Sequence, residues 1–182
     1  MKAVLIFLLF SLFLVALVTC GADDITAPAT ITVTSPAYAD GAAIPLKYTC
    51  QGEGISPAWA WKGAPEGTKA WAVIFDDPDA PMGTWIHWLV FNLPPDTTGL
   101  PEGASTGAGL PDGSVQGKNS WGQKAYGGPC PPPGKAHRYY FKVYALDAKL
   151  PPGADAGKFA LLSAMKGHVL AAGSLQGTYK RR

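Results

Sequence analysis

Two segments leave this chain few ways to fold. Residues 70–75 (Ala70-Trp71-Ala72-Val73-Ile74-Phe75) and 85–93 (Trp85-Ile86-His87-Trp88-Leu89-Val90-Phe91-Asn92-Leu93) are apolar at almost every position. A strand with one wet face alternates polar and apolar residues, whereas a run that is apolar on both faces has to be covered on both. The two segments therefore read as central strands of a layered β structure. On strict alternation Trp85, His87, Leu89 and Phe91 share one face of the second run, and Ile86, Trp88, Val90 and Asn92 share the other. Between the runs stands Asp76-Asp77-Pro78-Asp79-Ala80-Pro81. Carboxylates stiffened by proline make a poor core but a good wall for a polar pocket at the strand ends.

The remaining segments fit the same class. Residues 137–146 alternate cleanly, with His137, Tyr139, Phe141, Val143 and Ala145 on one face and Arg138, Tyr140, Lys142 and Tyr144 on the other. Shorter strands are expected at 30–34, with Ile31 and Val33 inward, at 58–61, and at 44–50, where Pro45 keeps the strand near an edge. Asp155 reads as the N-cap of a helix over about 156–171, carrying Phe159, Leu162, Met165 and Val169 at helical spacing and stopped by Gly173. A short strand over 174–179 follows. Residues 94–117 read as a long surface loop, and 118–134 as a second irregular stretch rich in Gly and Pro. Charged residues make up only 15% of the chain while Gly (22) and Pro (17) are plentiful, which favours strands and ordered turns over helices. The expected fold is mainly β, in one domain spanning 30–182.

The N-terminus reads as a targeting signal rather than as fold. Lys2 precedes an apolar stretch over 3–18, so residues 1–22 are expected to act in export, with 23–29 as a tether. Leu17-Val18-Thr19-Cys20 resembles the lipobox of bacterial lipoproteins, which makes Cys20 a lipidation candidate. Cleavage after Ala22 and retention as an uncleaved anchor compete with it. The expected location is the periplasm of a bacterium, free or membrane-anchored. Cys50 and Cys130 are then the two cysteines of the mature domain. In an oxidising compartment they are a disulfide candidate, with two separately buried thiols as the alternative.

Four residues are out of place in a pure core: Asp77, His87, His137 and Tyr139. Each histidine sits near the head of a strand, beside a Pro-rich loop. Asp77 closes one central run and His87 opens the next, so the carboxylate is expected to orient and charge His87. Tyr139 adds a hydroxyl, and Gly127-Gly128 adds exposed main-chain N–H groups. A donor-rich pocket of this kind suits phosphate, sulfate or carboxylate. Asp79 either lines the pocket or caps the Asp-Pro turn, and Trp85 either stacks at the rim or packs in the core.

The two stretches also resemble the signatures of the phosphatidylethanolamine-binding protein family, which includes the Raf kinase inhibitor protein. Asp77-Pro78-Asp79-Ala80-Pro81 with Trp85-Ile86-His87 is similar to the first signature. Gly128-Pro129 with His137-Arg138-Tyr139 and Val143-Tyr144 is similar to the second. The likeness runs from Ser35-Pro36 to Gly177-Thr178-Tyr179, and the short loop before Trp85 resembles the bacterial and archaeal branch. The resemblance implies a β-sandwich-like fold with a C-terminal helix, short peripheral helices and a shallow anion pocket. Its lining would be Asp77, His87, His137 and Tyr139, with Ala80, Pro81, Gly128 and Pro129. Eukaryotic members have His-His where this chain has Ile86-His87.

The functional expectation is an exported, non-enzymatic binding module for a phosphorylated small molecule or a phospholipid head group. The alternative is a protein-interaction or inhibitor module, directed at a protease or kinase and using residues 94–117 and the pocket rim. A hydrolase built on Asp77 and His87 is a weaker third reading. No cofactor is implied, and no HExxH or CxxC spacing supports a metal. A net charge of +2 argues against nucleic acid as partner.

Overall fold

The computed structural model describes residue 25, residues 27–106 and residues 109–182. The expected export segment 1–22, with Cys20, and part of the tether lie outside the described residues. Among the described residues, nine strands form two sheets. The larger contains β1 (Ala29–Thr30), β4 (Ala70–Asp77), β5 (Trp85–Leu93), β7 (Val115–Gly117), β8 (His137–Leu146) and β9 (Val169–Tyr179), in the order β1-β9-β8-β4-β5-β7. The smaller contains β2 (Thr32–Thr34), β3 (Trp59–Lys62) and β6 (Gly99–Leu100), in the order β2-β3-β6. All pairings within the two sheets are antiparallel except β1 on β9.

The large sheet is covered on both faces, which is why β4 is buried at every position. One face packs on the small sheet. There Trp59 stacks on Phe141 with ring centroids 3.9 Å apart, within a cluster of Val33, Trp61, Val73, Phe75, Trp88 and Val143. The other face carries Ile74, Leu89, Phe91 and Leu146 under Leu161 and Met165 of the helix α1 (Lys158–Met165). On this face Asp76 is fully buried, and Lys142 and Lys158 both reach its Oδ2 (3.2 and 3.6 Å). A carboxylate in that position is tolerable because two cations accompany it.

Several expectations are corrected. The helix ends at Met165, not near 171, because Gly167 takes a left-handed φ of 84° and residues 169–179 continue as β9. Gly173 lies inside that strand rather than stopping a helix. A Cβ there would fall 2.0 Å from the Ile31 carbonyl oxygen, so glycine permits the close approach of the neighbouring chain. Asp155 makes no cap and pairs instead with Lys124. The strand expected over 44–50 is a single bridge, Ala43 to Thr178, followed by a 3₁₀ turn over Leu46–Tyr48. The stretch 94–117 is more than a surface loop. It contributes β6 and β7 and buries Leu100 and Ala104.

Candidate functional site

The site lies where β4 ends and β5 and β8 begin. Strand β8 keeps its period-two alternation from His137 to Ala145, so His137 and Tyr139 point to the face that packs on the small sheet, as do Phe75 and Asp77 of β4. Strand β5 breaks its alternation. Phe75 pairs with Trp88 but Asp76 pairs with Ile86, which leaves one extra residue, His87, on β5. This bulge turns His87 away from Leu89 and Phe91 and towards Phe75 and Tyr139. The expectation that His87 shares a face with Leu89 and Phe91 is therefore overturned. Bulges re-aim side chains in this way beside functional sites.

The partnership expected between Asp77 and His87 is also corrected. The Asp77 Oδ2 accepts a 2.8 Å hydrogen bond from Nδ1 of His137. His87 donates its Nδ1–H to the carbonyl of Gly127 at 2.7 Å, and the Gly127 N–H returns a bond to the His87 carbonyl at 2.9 Å. Burial lowers the His87 pKa from 6.5 to about 4, against the smaller opposing effects of the Gly127 carbonyl and the Asp77 charge. His87 is thus a neutral imidazole near pH 7, not a charge-tuned one. Its ring stands edge-on to Tyr139 (5.3 Å) and Trp121 (5.1 Å).

Asp77 has a second task. Its Oδ1 accepts the N–H of Asp79 at 2.8 Å, so the turn-capping role considered for Asp79 belongs to Asp77. Asp79 instead clamps Arg138, accepting from its main-chain N–H (2.9 Å), Nε (2.9 Å) and Nη2 (2.7 Å). Those bonds from Arg138 hold the Asp79 pKa down at about 2. Ala80 accepts Gly83 N–H in the turn that follows, and Pro81 is exposed there.

Tyr139 is fully buried and its hydroxyl makes no hydrogen bond of regular geometry within the protein. Burial, and then the charge of Asp77 nearby, push the phenol well above its ordinary range. Asp77 is thus close enough to act on the hydroxyl electrostatically without forming a regular bond to it.

The opposite wall is fastened to the segment before it. Tyr126 Oη donates to the Tyr48 carbonyl (2.9 Å), Cys50 N–H donates to the Pro129 carbonyl (3.1 Å), and Cys50 and Cys130 form a disulfide. Gly128 packs directly on the backbone of Tyr48 and Thr49. Trp85 is half-buried at the head of β5 and meets Trp121 edge-to-face at 5.3 Å. Sequence reasoning missed Tyr126 and Trp121, and it expected Gly127 to offer its N–H to a ligand, whereas that N–H bonds the His87 carbonyl. The one available signal was an isolated tryptophan inside a polar, Gly-containing loop. A separate cleft of about 310 Å³ is lined by Phe91, Asn92, Val115, Leu150 and Asp155. None of the expected site residues lines it, and its one carboxylate, Asp155, is already paired with Lys124. Among the described residues no cluster of His, Cys, Asp or Glu could hold a metal ion.

The chain resembles known proteins over most of its length. It is 52% identical over 145 residues to the UPF0098 protein of Methanothermobacter thermautotrophicus, covering 80% of this chain and 95% of that one. It is 47% identical over 154 residues to the UPF0098 protein of Chlamydia muridarum, covering 82% and 98%. Neither name denotes an enzyme. Among solved structures, Escherichia coli YbcL matches with a TM-score of 0.79 at 36% identity, over 85% of this chain and all of that one. The phosphatidylethanolamine-binding protein homolog CT736 of Chlamydia trachomatis matches with a TM-score of 0.74 at 42% identity, over 84% and 99%. The family model of the phosphatidylethanolamine-binding protein matches residues 34–180, so this chain belongs to the phosphatidylethanolamine-binding protein family, a fold of ligand-binding or interaction modules.

Proposed function

We propose that the protein is an exported module that binds a small anion, a phosphate or a phosphate-bearing head group, at the ends of β4, β5 and β8. The observation that carries this reading is the Tyr139 hydroxyl, fully buried and without a hydrogen bond of regular geometry, with the Asp77 carboxylate only close by. Such a group is costly to leave unpaired, by about 1–3 kcal/mol, and a ligand oxygen would satisfy it. The neighbouring groups suit the same ligand. His137, when protonated, offers a second donor and offsets the charge of Asp77, which alone would repel an anion. His87 donates Nδ1–H to Gly127, so in the neutral ring the other nitrogen is an acceptor, suited to the proton of a hydrogen phosphate. Export is supported by the Cys50–Cys130 disulfide, which belongs in an oxidising compartment, and by the apolar segment 3–18.

The interaction-module alternative uses 94–117 as a surface loop together with the pocket rim. Burial of Leu100 and pairing of Val115–Gly117 on β5 tie parts of that segment into the sheets, which favours the pocket.

Tyr139→Phe tests the reading, because it deletes one oxygen and nothing else. Calorimetric titration with inorganic phosphate should show affinity falling about tenfold or more, while stability to urea stays equal or rises. Undiminished phosphate affinity in the variant, or no binding by the wild type, would overturn the proposal.

A further inference from the structure

The ring standing beside His87 at the edge of the pocket carries an inference about specificity. Trp121 is 45% exposed, yet its loop is built to hold it still. Asn119, itself buried, accepts the N–H groups of both Trp121 (3.0 Å) and Gln123 (2.9 Å) through Oδ1 and donates Nδ2–H to the Ala125 carbonyl (3.0 Å). Ser120 bonds both main-chain groups of Ile86, through its N–H (2.9 Å) and its Oγ (2.8 Å), and so ties the loop to β5 next to His87. The six-membered ring of Trp121 rests on Gly127. A Cβ at that position would fall 2.4 Å from Cζ3 and would push the indole out of this place. Trp121 therefore lies against the same residue whose carbonyl holds His87, and against the rings of His87 and Trp85.

A half-exposed tryptophan held by a preorganised loop is an unusual use of a residue that normally spends its surface in the core. We infer that Trp121 is a specificity-determining residue which packs against the organic group of a phosphorylated ligand, and that this group is flat and apolar, an aryl or heteroaryl phosphoester. The inference rests on the phosphate reading given above. Tyr139, His137 and His87 take the phosphate; Trp121, with Trp85 behind it, takes the ring. Indole stacks on flat rings through its large polarisable face, and such a contact is worth about tenfold in affinity.

The test compares inorganic phosphate, phosphoethanolamine and phenyl phosphate by calorimetry on the wild type, Trp121→Ala and Trp121→Phe. Phenyl phosphate should bind the wild type about tenfold more tightly than inorganic phosphate. That advantage, taken in each protein as the ratio of phenyl phosphate to inorganic phosphate affinity so that any general effect on the phosphate site cancels, should vanish in Trp121→Ala and return in part in Trp121→Phe. Equal affinity of the wild type for phosphate and phenyl phosphate overturns the role of Trp121 and leaves the phosphate site standing. A gain for phosphoethanolamine as large as that for phenyl phosphate overturns the assignment of a flat group. A phenyl advantage that persists in Trp121→Ala shows that Trp121 only shields His87. No binding of any of the three overturns the phosphate reading and this inference with it.

Discussion

Nδ1 of His137 lies 2.8 Å from Oδ2 of Asp77, although the two residues are 60 positions apart in the chain. Both side chains are about 95% removed from solvent. The bond spans two neighbouring strands, β8 and β4, and fixes which ring nitrogen of His137 carries the proton that faces Asp77. The other oxygen of Asp77 holds the N–H of Asp79, and Asp79 in turn holds Arg138, the residue after His137. One carboxylate thus sets both the imidazole and the turn.

Asp77→Ala should accordingly be among the more damaging single changes at this end of the molecule. It leaves a buried imidazole N–H and a turn N–H without their acceptor. A loss of about 3 kcal/mol is expected in urea unfolding. Asp79→Ala removes a clamp on a guanidinium that is half exposed, so solvent screening limits its cost to about 1 kcal/mol. Equal losses for the two variants would contradict this division of labour.

The pH dependence of stability should carry the signature of His87. Its pKa is lowered from 6.5 in the free side chain to about 4 in the fold. Between those values the unfolded chain takes up a proton that the folded chain refuses. Stability contributed by the neutral ring is complete above the upper value and falls with pH down to the lower one. The full loss is about 3 kcal/mol. Urea unfolding at a series of pH values should show this slope in the wild type and a shallower one in His87→Gln, whose amide retains a donor for Gly127. Parallel profiles would mean that His87 does not titrate in that window.

The site was legible where local periodicity was unbroken and illegible where backbone irregularity intervened. His137 and Tyr139 were placed inward because β8 alternates without interruption. The bulge at His87 left no trace in the sequence, since β5 is apolar on both faces and an extra residue exposes nothing. The partner of Asp77 was misread for a related reason. β4 lies between β5 and β8, so a residue at its end has a histidine-bearing strand on each side, and adjacency in sequence favoured the wrong one. In the C-terminal part, residues 169–172 fit helical spacing and a buried strand alike. The left-handed turn at Gly167 decided between them. The disulfide partners followed from counting, whereas the hydrogen bonds around them did not.

Reduction of the Cys50–Cys130 bridge should weaken the fold and the pocket together. The bridge closes a loop of sequence separation 80, and constraint of the unfolded chain by such a loop is worth about 4 kcal/mol. It also joins the segment Tyr126–Pro129, which bears the acceptor for His87, to residues 48–50. Urea unfolding with and without reductant should show the stability loss. Phosphate affinity measured below the unfolding transition should fall as well, since that wall would then be tied to residues 48–50 by hydrogen bonds and the packing of Gly128, without a covalent link.

Gly128→Ala separates the fit of that wall from the covalent tie. Its backbone is not in the left-handed region, so the substitution tests space alone. A Cβ there would lie 2.8 Å from the Tyr48 carbonyl oxygen and 3.0 Å from both Cα and C of Thr49. All three are backbone atoms that cannot rotate aside, and Thr49 is fully buried. The two segments must part by several tenths of an ångström. That displacement pulls on the Cys50–Pro129 and Tyr126–Tyr48 hydrogen bonds and, through Gly127, on the carbonyl that holds His87. Overpacking of this kind costs about 1–3 kcal/mol. Unfolding in urea should register the loss with the disulfide intact, and the His87 ring resonances should shift. A variant as stable as the wild type, with His87 unmoved, would show that the wall tolerates a methyl group and that its position is not set by contact with Tyr48 and Thr49.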